Sequence, residues 1–241
     1  EIIDPSTCPD SDSAIWARAG AGVEPGTGRI LVATGNAPYD GQTAWGDSVL
    51  ELSPDAGELV ASWTPPNQDE LNSGDVDLGS TAPALVRGVD GRLYGIQGGK
   101  DGLLRLIDID RMAVVQTLPT PGAQSMFTAP AVAGRNVFIA TSAGTAAYRL
   151  TGSGTPRLLN TWSNDTAGTS PVIAGGLVYV YDPTGGGINI YRPGSPNPVA
   201  TLAAATGHWQ SPIAIDGCVL VGEGDANEHA TSGTLSLSCL P

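Results

Sequence analysis

Three observations on the sequence predict an all-β fold. Gly and Pro contribute 33 and 19 of the 241 residues, enough to break the chain into short segments joined by turns. The Ala/Glu/Lys/Leu-rich stretches that build helical proteins are absent, and lysine occurs once, at Lys100. Most informative is an internal repeat. Ser80-Thr-Ala-Pro-Ala-Leu-Val, Phe127-Thr-Ala-Pro-Ala-Val-Ala, Thr169-Ser-Pro-Val-Ile-Ala and Gln210-Ser-Pro-Ile-Ala-Ile share one pattern, and Pro83, Pro130, Pro171 and Pro212 are spaced by 47, 41 and 41 residues.

Each proline opens a short strand, a position where its missing N–H costs no interior ladder bond. A Gly-containing turn follows, then a second, apolar strand at 93–96, 137–140, 177–180 and 218–221. A third strand comes at 103–107, 145–150, 187–191 and 234–239, and an outer one at 114–118, 158–162 and 199–202. Residues 15 to 63 make a more divergent fifth unit with strands beginning at Arg29, Ser48 and Glu58. Four antiparallel strands in about 41–47 residues is the period of a β-propeller blade. A sandwich uses strands of this length but does not repeat one four-strand phrase. The expectation is a single domain over 1–241 with about five blades, near 13–63, 80–118, 127–163, 168–202 and 209–240. The strand holding Thr128–Ala133 and its counterparts should lie nearest the axis.

Composition narrows the function. Eleven Lys+Arg against 24 Asp+Glu give a formal charge of −13, which opposes binding to nucleic acid or an anionic membrane. No apolar run is long enough for a membrane-spanning helix. A G-x-S-x-G elbow, HExxH, a P-loop and GxGxxG are all missing, and His208 and His229 are the only histidines, read as surface or packing residues. Low lysine, high acidity and abundant Gly, Ser and Thr point to an exported protein, periplasmic or extracellular. The chain opens on Glu1-Ile-Ile-Asp-Pro without a signal-peptide pattern, so either a leader was removed or the chain is a piece of something longer; the odd cysteine count favours the second.

Four phrases carry a resemblance: Gly28-Arg-Ile-Leu-Val-Ala-Thr-Gly-Asn36, Gly46-Asp-Ser-Val-Leu-Glu-Leu-Ser-Pro-Asp-Ala-Gly57, Asp75-Val-Asp-Leu-Gly-Ser-Thr-Ala-Pro83 and Gly98-Gly-Lys-Asp-Gly102. From about residue 13 to 110 the chain resembles the pyrroloquinoline quinone (PQQ) propeller family. That family includes alcohol, methanol and polyvinyl-alcohol dehydrogenases as well as PQQ-like propellers that bind no cofactor. The resemblance implies the C-terminal blades of an eight-bladed propeller, with PQQ and calcium as cofactors. Trp16 stands where the family's tryptophan stacks on the quinone, two residues further from the Asn than usual. Asn36 matches the calcium ligand of the TGN phrase, and Asp75 matches the general base, also near the metal, with Asp77 as rival. Lys100 matches the cation that contacts the quinone oxygens. The residue types suit these tasks: an aromatic face for a flat ring, oxygen ligands for a hard cation, a carboxylate to accept a proton, and an ammonium to offset developing charge.

The departures are equally specific. The family's glutamate metal ligand, its Arg and Ser/Thr quinone contacts and its adjacent-cysteine disulfide belong to earlier blades that this chain lacks, and no CxxCH motif is present. The same residues also have plain readings: Asn36 as a turn residue, Asp75 and Asp77 as solvated loop acids, Trp16 as a packing aromatic and Lys100 as a charged turn residue. Two function classes therefore stay open, a quinoprotein-type dehydrogenase oxidising an alcohol and a non-catalytic interaction scaffold. The chain alone is expected to lack PQQ, and its open blade edges are expected to be covered by upstream blades, a second copy or a partner chain. Finally, pairing Val221 near Thr234 puts Cys218 opposite about Leu237, with Cys239 as a diagonal neighbour. A Cys218–Cys239 disulfide is expected, with Cys8 free or bonded outside the chain.

Overall fold

A computed structural model describes residues 14–16, 20–152, 154–224 and 232–239. Its strands form five antiparallel sheets in chain order, each a simple meander. Blade 1 contains β1 (Gly22–Val23), β2 (Ile30–Ala33), β3 (Val49–Leu52) and β4 (Leu59–Trp63). Blade 2 contains β5 (Ala84–Arg87), β6 (Leu93–Gln97), β7 (Leu103–Asp108) and β8 (Ala113–Pro119). Blade 3 contains β9 (Ala131–Ala133), β10 (Asn136–Thr141), β11 (Gly144–Thr151) and β12 (Arg157–Asn164). Blade 4 contains β13 (Val172–Ala174), β14 (Leu177–Asp182), β15 (Gly187–Tyr191) and β16 (Pro198–Leu202). Blade 5 has three strands among the described residues: β17 (Ile213–Ile215), β18 (Cys218–Glu223) and β19 (Thr234–Cys239).

The four prolines each sit immediately before a first strand, as the repeat implied. First strands of successive blades lie beside one another, which places them inside the ring of blades. The Ser/Thr residues next to those prolines have a structural task. The Ser80 hydroxyl donates to the Met126 carbonyl and the Thr81 hydroxyl to the Thr128 carbonyl, both at 2.7 Å, and Ser170 Oγ accepts the Ala129 N–H at 2.9 Å. Each such bond satisfies a backbone group that has no partner in its own sheet, so the repeat joins one blade to the next.

The second strands read as continuous apolar runs because both of their faces are buried. Val137 and Ile139 pack with Tyr94, Ile96 and Leu104 of blade 2, whereas Phe138 and Ala140 pack with Val178, Val180 and Tyr191 of blade 4. Four such cores result, one at each junction between consecutive blades. All four complete blades also carry a register shift between the third and fourth strands, at Glu51/Leu52, Leu106/Ile107, Ala147/Tyr148 and Ile190/Tyr191. A bulge repeated at one position twists each outer strand the same way, a regularity that has no sequence signal.

Two details differ from the sequence reading. The segment before Asp75 contains a short helix, α1 (Gln68–Ser73), rather than loop alone; Asp69 and Glu70 occupy its favourable first turn. The last hairpin pairs Glu223 with Thr234, so Cys218 lies directly opposite Cys239 instead of diagonal to it. The second strand runs two residues further than expected, so Gly222 and Glu223 stay in the ladder, whereas the third begins at Thr234 as expected. The two sulfurs are bonded at 2.10 Å. Cys8 and His229 lie outside the described residues.

Candidate functional site

Chain topology gathers one set of loops at one end of the blades. Antiparallel pairing puts the start of each first strand beside the end of the second, as Ala84 opposite Ile96 shows. Loops that enter first strands therefore share this end with the turns that follow second strands. Trp16, Asn36, Asp75, Asp77, Lys100, Phe127 and Trp209 all lie on such segments.

The structure brings all four sequence-predicted residues together. Asn36 donates its backbone N–H to Asp77 Oδ1 at 2.9 Å and its side-chain N–H to Asp75 Oδ1 at 3.0 Å. The Lys100 ammonium touches Asp77 Oδ2, lies 3.3 Å from Asp75 Oδ1 and donates to the Asp75 carbonyl at 3.0 Å. Its backbone N–H donates to the Asp77 carbonyl, and its Nζ stands 5.3 Å from the centre of the Trp16 ring. An ammonium has three N–H donors, and three acceptors surround this one. Burial works against the Lys100 charge, but the bonds and charges of Asp77 and then Asp75 outweigh it and hold the ammonium above the ordinary lysine value.

The two acids differ in setting. The Asp75 side chain is 83% exposed and that of Asp77 only 7%. Asp75 adopts a left-handed φ of 53°, an uncommon conformation that Asp tolerates better than most residues. Gly35 of the TGN phrase is required by close approach: a Cβ there would collide with Asp77 Oδ1.

Sequence reasoning missed two parts of this end. The first is Asp47, fully buried beneath the cluster, whose Oδ1 accepts the Leu78 N–H at 2.9 Å while Oδ2 has no hydrogen-bond partner. Burial pushes its pKa up to about 6; the Leu78 bond opposes this and the charge of Asp77 adds to it. The second is an aromatic row. Trp16 stacks on Phe127 with centroids 6.2 Å apart, Phe127 stacks on Trp209 at 5.2 Å, and the His208 ring lies 3.9 Å from Trp209. A signal existed for the second part, since Phe127 and Trp209 both stand three residues before a blade proline.

The row separates two chemically distinct sectors. Blades 1 and 2 supply the charged cluster. Blades 3 to 5 surround a cavity of about 270 Å³ lined by Phe127, His208, Trp209 and the hydroxyl residues Ser125, Thr169 and Thr184, with no Asp, Glu, Lys or Arg in its wall. Thr169 is buried and its hydroxyl has no hydrogen-bond partner. A larger cavity of about 370 Å³ lies at the opposite end, between blades 4 and 5 beside the disulfide, remote from these groups.

The residues can be tested against the calcium and quinone that the sequence resemblance implies. Calcium takes six to eight oxygens. Both Asp77 oxygens and Asp75 Oδ1 are already engaged, which leaves Asn36 Oδ1, buried and unpartnered, and Asp75 Oδ2. Among the described residues no three His, Cys, Asp or Glu side chains converge to hold a metal. Lys100, the one cation of the cluster, has no donor to spare for an anionic ring. The described residues therefore do not fit the calcium–quinone pair without further ligands.

Fold and site together define a β-propeller with a mixed charged and aromatic axial end. No protein-family model and no curated protein matches the sequence. Solved structures resemble its fold. The computationally designed Ika8 protein aligns at TM-score 0.55 with 13% identity, over 88% of this chain and 56% of its own. The β-propeller domain of Cps50 (Swd1) from Myceliophteria thermophila aligns at TM-score 0.55 with 12% identity, over 84% of this chain and 66% of its own. The chain thus spans about 56% and 66% of these two proteins, and at such identity the likeness concerns the fold alone.

Proposed function

We propose that this chain is a non-catalytic PQQ-like propeller that acts as a binding scaffold, receiving an uncharged group of a partner at its axial end. One observation carries this reading. The charges inherited by the cluster are spent on one another, with every Lys100 donor facing Asp75 or Asp77, while the open space beside them is neutral, aromatic and rich in hydroxyls. Aromatic walls favour a flat or aliphatic group, and a wall without Asp, Glu, Lys or Arg gives a charged ligand no permanent charge to pair with.

A quinoprotein-type dehydrogenase is the second reading. Its support is the convergence of Trp16, Asn36, Asp75 and Lys100 from four separate segments, together with the orphaned Asn36 Oδ1, an oxygen suited to a hard cation. This reading requires at least four more oxygens from groups outside the described residues.

Titration with PQQ and calcium, followed by tryptophan fluorescence and dye-linked alcohol oxidation, separates the two. The scaffold reading expects no saturable quenching and no turnover. Saturable PQQ binding that weakens strongly in Lys100→Ala and Asn36→Ala would overturn it. Indole, used as an uncharged probe, should bind the neutral cavity saturably and lose that binding in Trp209→Ala.

A further inference from the structure

The neutral cavity at the axial end has a hydrogen-bonding polarity of its own. Four of its hydroxyls spend their hydrogens on the protein. Ser125 Oγ donates to the Lys100 carbonyl at 2.7 Å, Thr128 Oγ1 to the Ala140 carbonyl at 2.6 Å, Thr141 Oγ1 to the Pro121 carbonyl at 3.0 Å and Thr184 Oγ1 to Asp182 Oδ1 at 2.6 Å. The backbone N–H groups of Gly168, Thr169, Thr184 and Gly207 in the same wall are engaged too, with the Thr141 carbonyl, the Tyr181 carbonyl, Asp182 Oδ1 and the Pro183 carbonyl. A hydroxyl has one hydrogen and two lone pairs, so each of the four still offers an acceptor. The wall therefore calls for donors on whatever occupies it. Thr169, buried and without a partner for its hydroxyl, adds one group able to donate or accept.

Three kinds of guest bring several donors together. An organic cation is held best by rings that face it from several sides, or by a carboxylate. Here the rings of the row lie near parallel, at 29° and 20° to one another, and the wall has no acid. A flat nitrogen base carries fixed ring acceptors beside its donors, and these would face the lone pairs of the wall. A sugar ring carries hydroxyls whose hydrogens rotate to the nearest acceptor, and a C–H face that packs on aromatic carbon such as that of Phe127 and Trp209. The volume of about 270 Å³ lies just below the usual range of about 300–1,000 Å³ for ligand pockets, which suits one ring rather than a chain.

We propose that the uncharged group received at the axial end is a single neutral sugar ring, free or at the end of a glycan. Its hydroxyls donate to the oxygens of Ser125, Thr128, Thr141 and Thr184 and exchange a hydrogen bond with Thr169, while its C–H face lies against Phe127 and Trp209. This inference rests on the scaffold reading above and gives that reading its ligand class.

Tryptophan fluorescence of the intact chain, titrated into the millimolar range, tests the proposal. The probes are D-glucose, D-galactose and D-mannose with their methyl glycosides, which stand for the terminal residue of a glycan. At least one sugar should bind saturably, and tetrahydropyran, which keeps the ring but has no O–H, should not. Thr169→Val should weaken sugar binding about tenfold, and Thr169→Ser, which keeps the hydroxyl, should restore it. The comparison of sugar with tetrahydropyran on the unaltered chain holds even should the valine variant fail to fold. Indole titrated in parallel separates two failures. Indole binding without binding of any sugar would overturn the inference and leave the scaffold reading standing, whereas binding of neither would overturn both. Choline bound more tightly than every sugar, tetrahydropyran bound as well as the sugars, or equal sugar affinity in a folded Thr169→Val would also overturn the inference.

Discussion

Asp47→Asn should stabilise the protein at neutral and alkaline pH, and the gain should fade in acid. The native Asp47 carboxyl is fully buried, one of its oxygens lacks a partner, and its pKa stands at about 6 against an ordinary 3.8. Because the folded value is the higher, the folded state binds a proton that the unfolded chain releases between these two values. Stability from this group therefore rises as pH falls from 6 toward 3.8, and the whole penalty is present above 6. At about 1.4 kcal/mol per pH unit, the gap corresponds to a ceiling of about 3 kcal/mol. Asparagine keeps an oxygen for the Leu78 N–H, places a neutral amide where the unpartnered oxygen was, and tolerates the left-handed φ of 48° at this position. An expected gain of about 1–2 kcal/mol allows for imperfect satisfaction of the new N–H groups. Urea denaturation followed by tryptophan fluorescence, on both proteins at pH 8 and pH 4, measures it. Equal stability at pH 8, or a difference that does not change with pH, would show that the Leu78 N–H and the Lys100 charge already offset the buried Asp47 charge.

Three further outcomes are expected. Lys100→Met strands the buried Asp77 carboxylate beside Asp75 and should cost about 2–4 kcal/mol at pH 7 in the same denaturation assay. Gly35→Ala forces a Cβ against Asp77 Oδ1 and should cost at least about 1–3 kcal/mol, with a lowered melting temperature. Opening the Cys218–Cys239 bridge, which spans 21 residues, by Cys239→Ala or reductant should destabilise the chain by about 3 kcal/mol, visible as a lower thermal midpoint that reductant no longer shifts in the variant.

The blade period was legible in the sequence because each blade is built locally. A proline ahead of the first strand, an apolar second strand and hairpin turns act within about 40 residues, and Val137-Phe-Ile-Ala140 announces burial on both faces by being apolar throughout. The Cys218–Cys239 pairing was legible for the same reason, since one hairpin sets it, though the exact opposition depended on how far the ladder ran before the turn.

The axial end was readable only in part. Asn36, Asp75 and Lys100 stood out as residue types in familiar phrases, but their contact with one another is decided by how blades 1 and 2 pack, and that packing turned Lys100 into the partner of two carboxylates. Asp47 gave no sign of its burial, because an acid after glycine at a turn ordinarily faces water; Leu78, 31 residues away, supplies the N–H that holds it inside. Strand, turn and hairpin follow from interactions between near neighbours in the chain. Charge pairing and the Trp16–Phe127–Trp209 row follow from which blades meet, and distance in sequence carries no record of that.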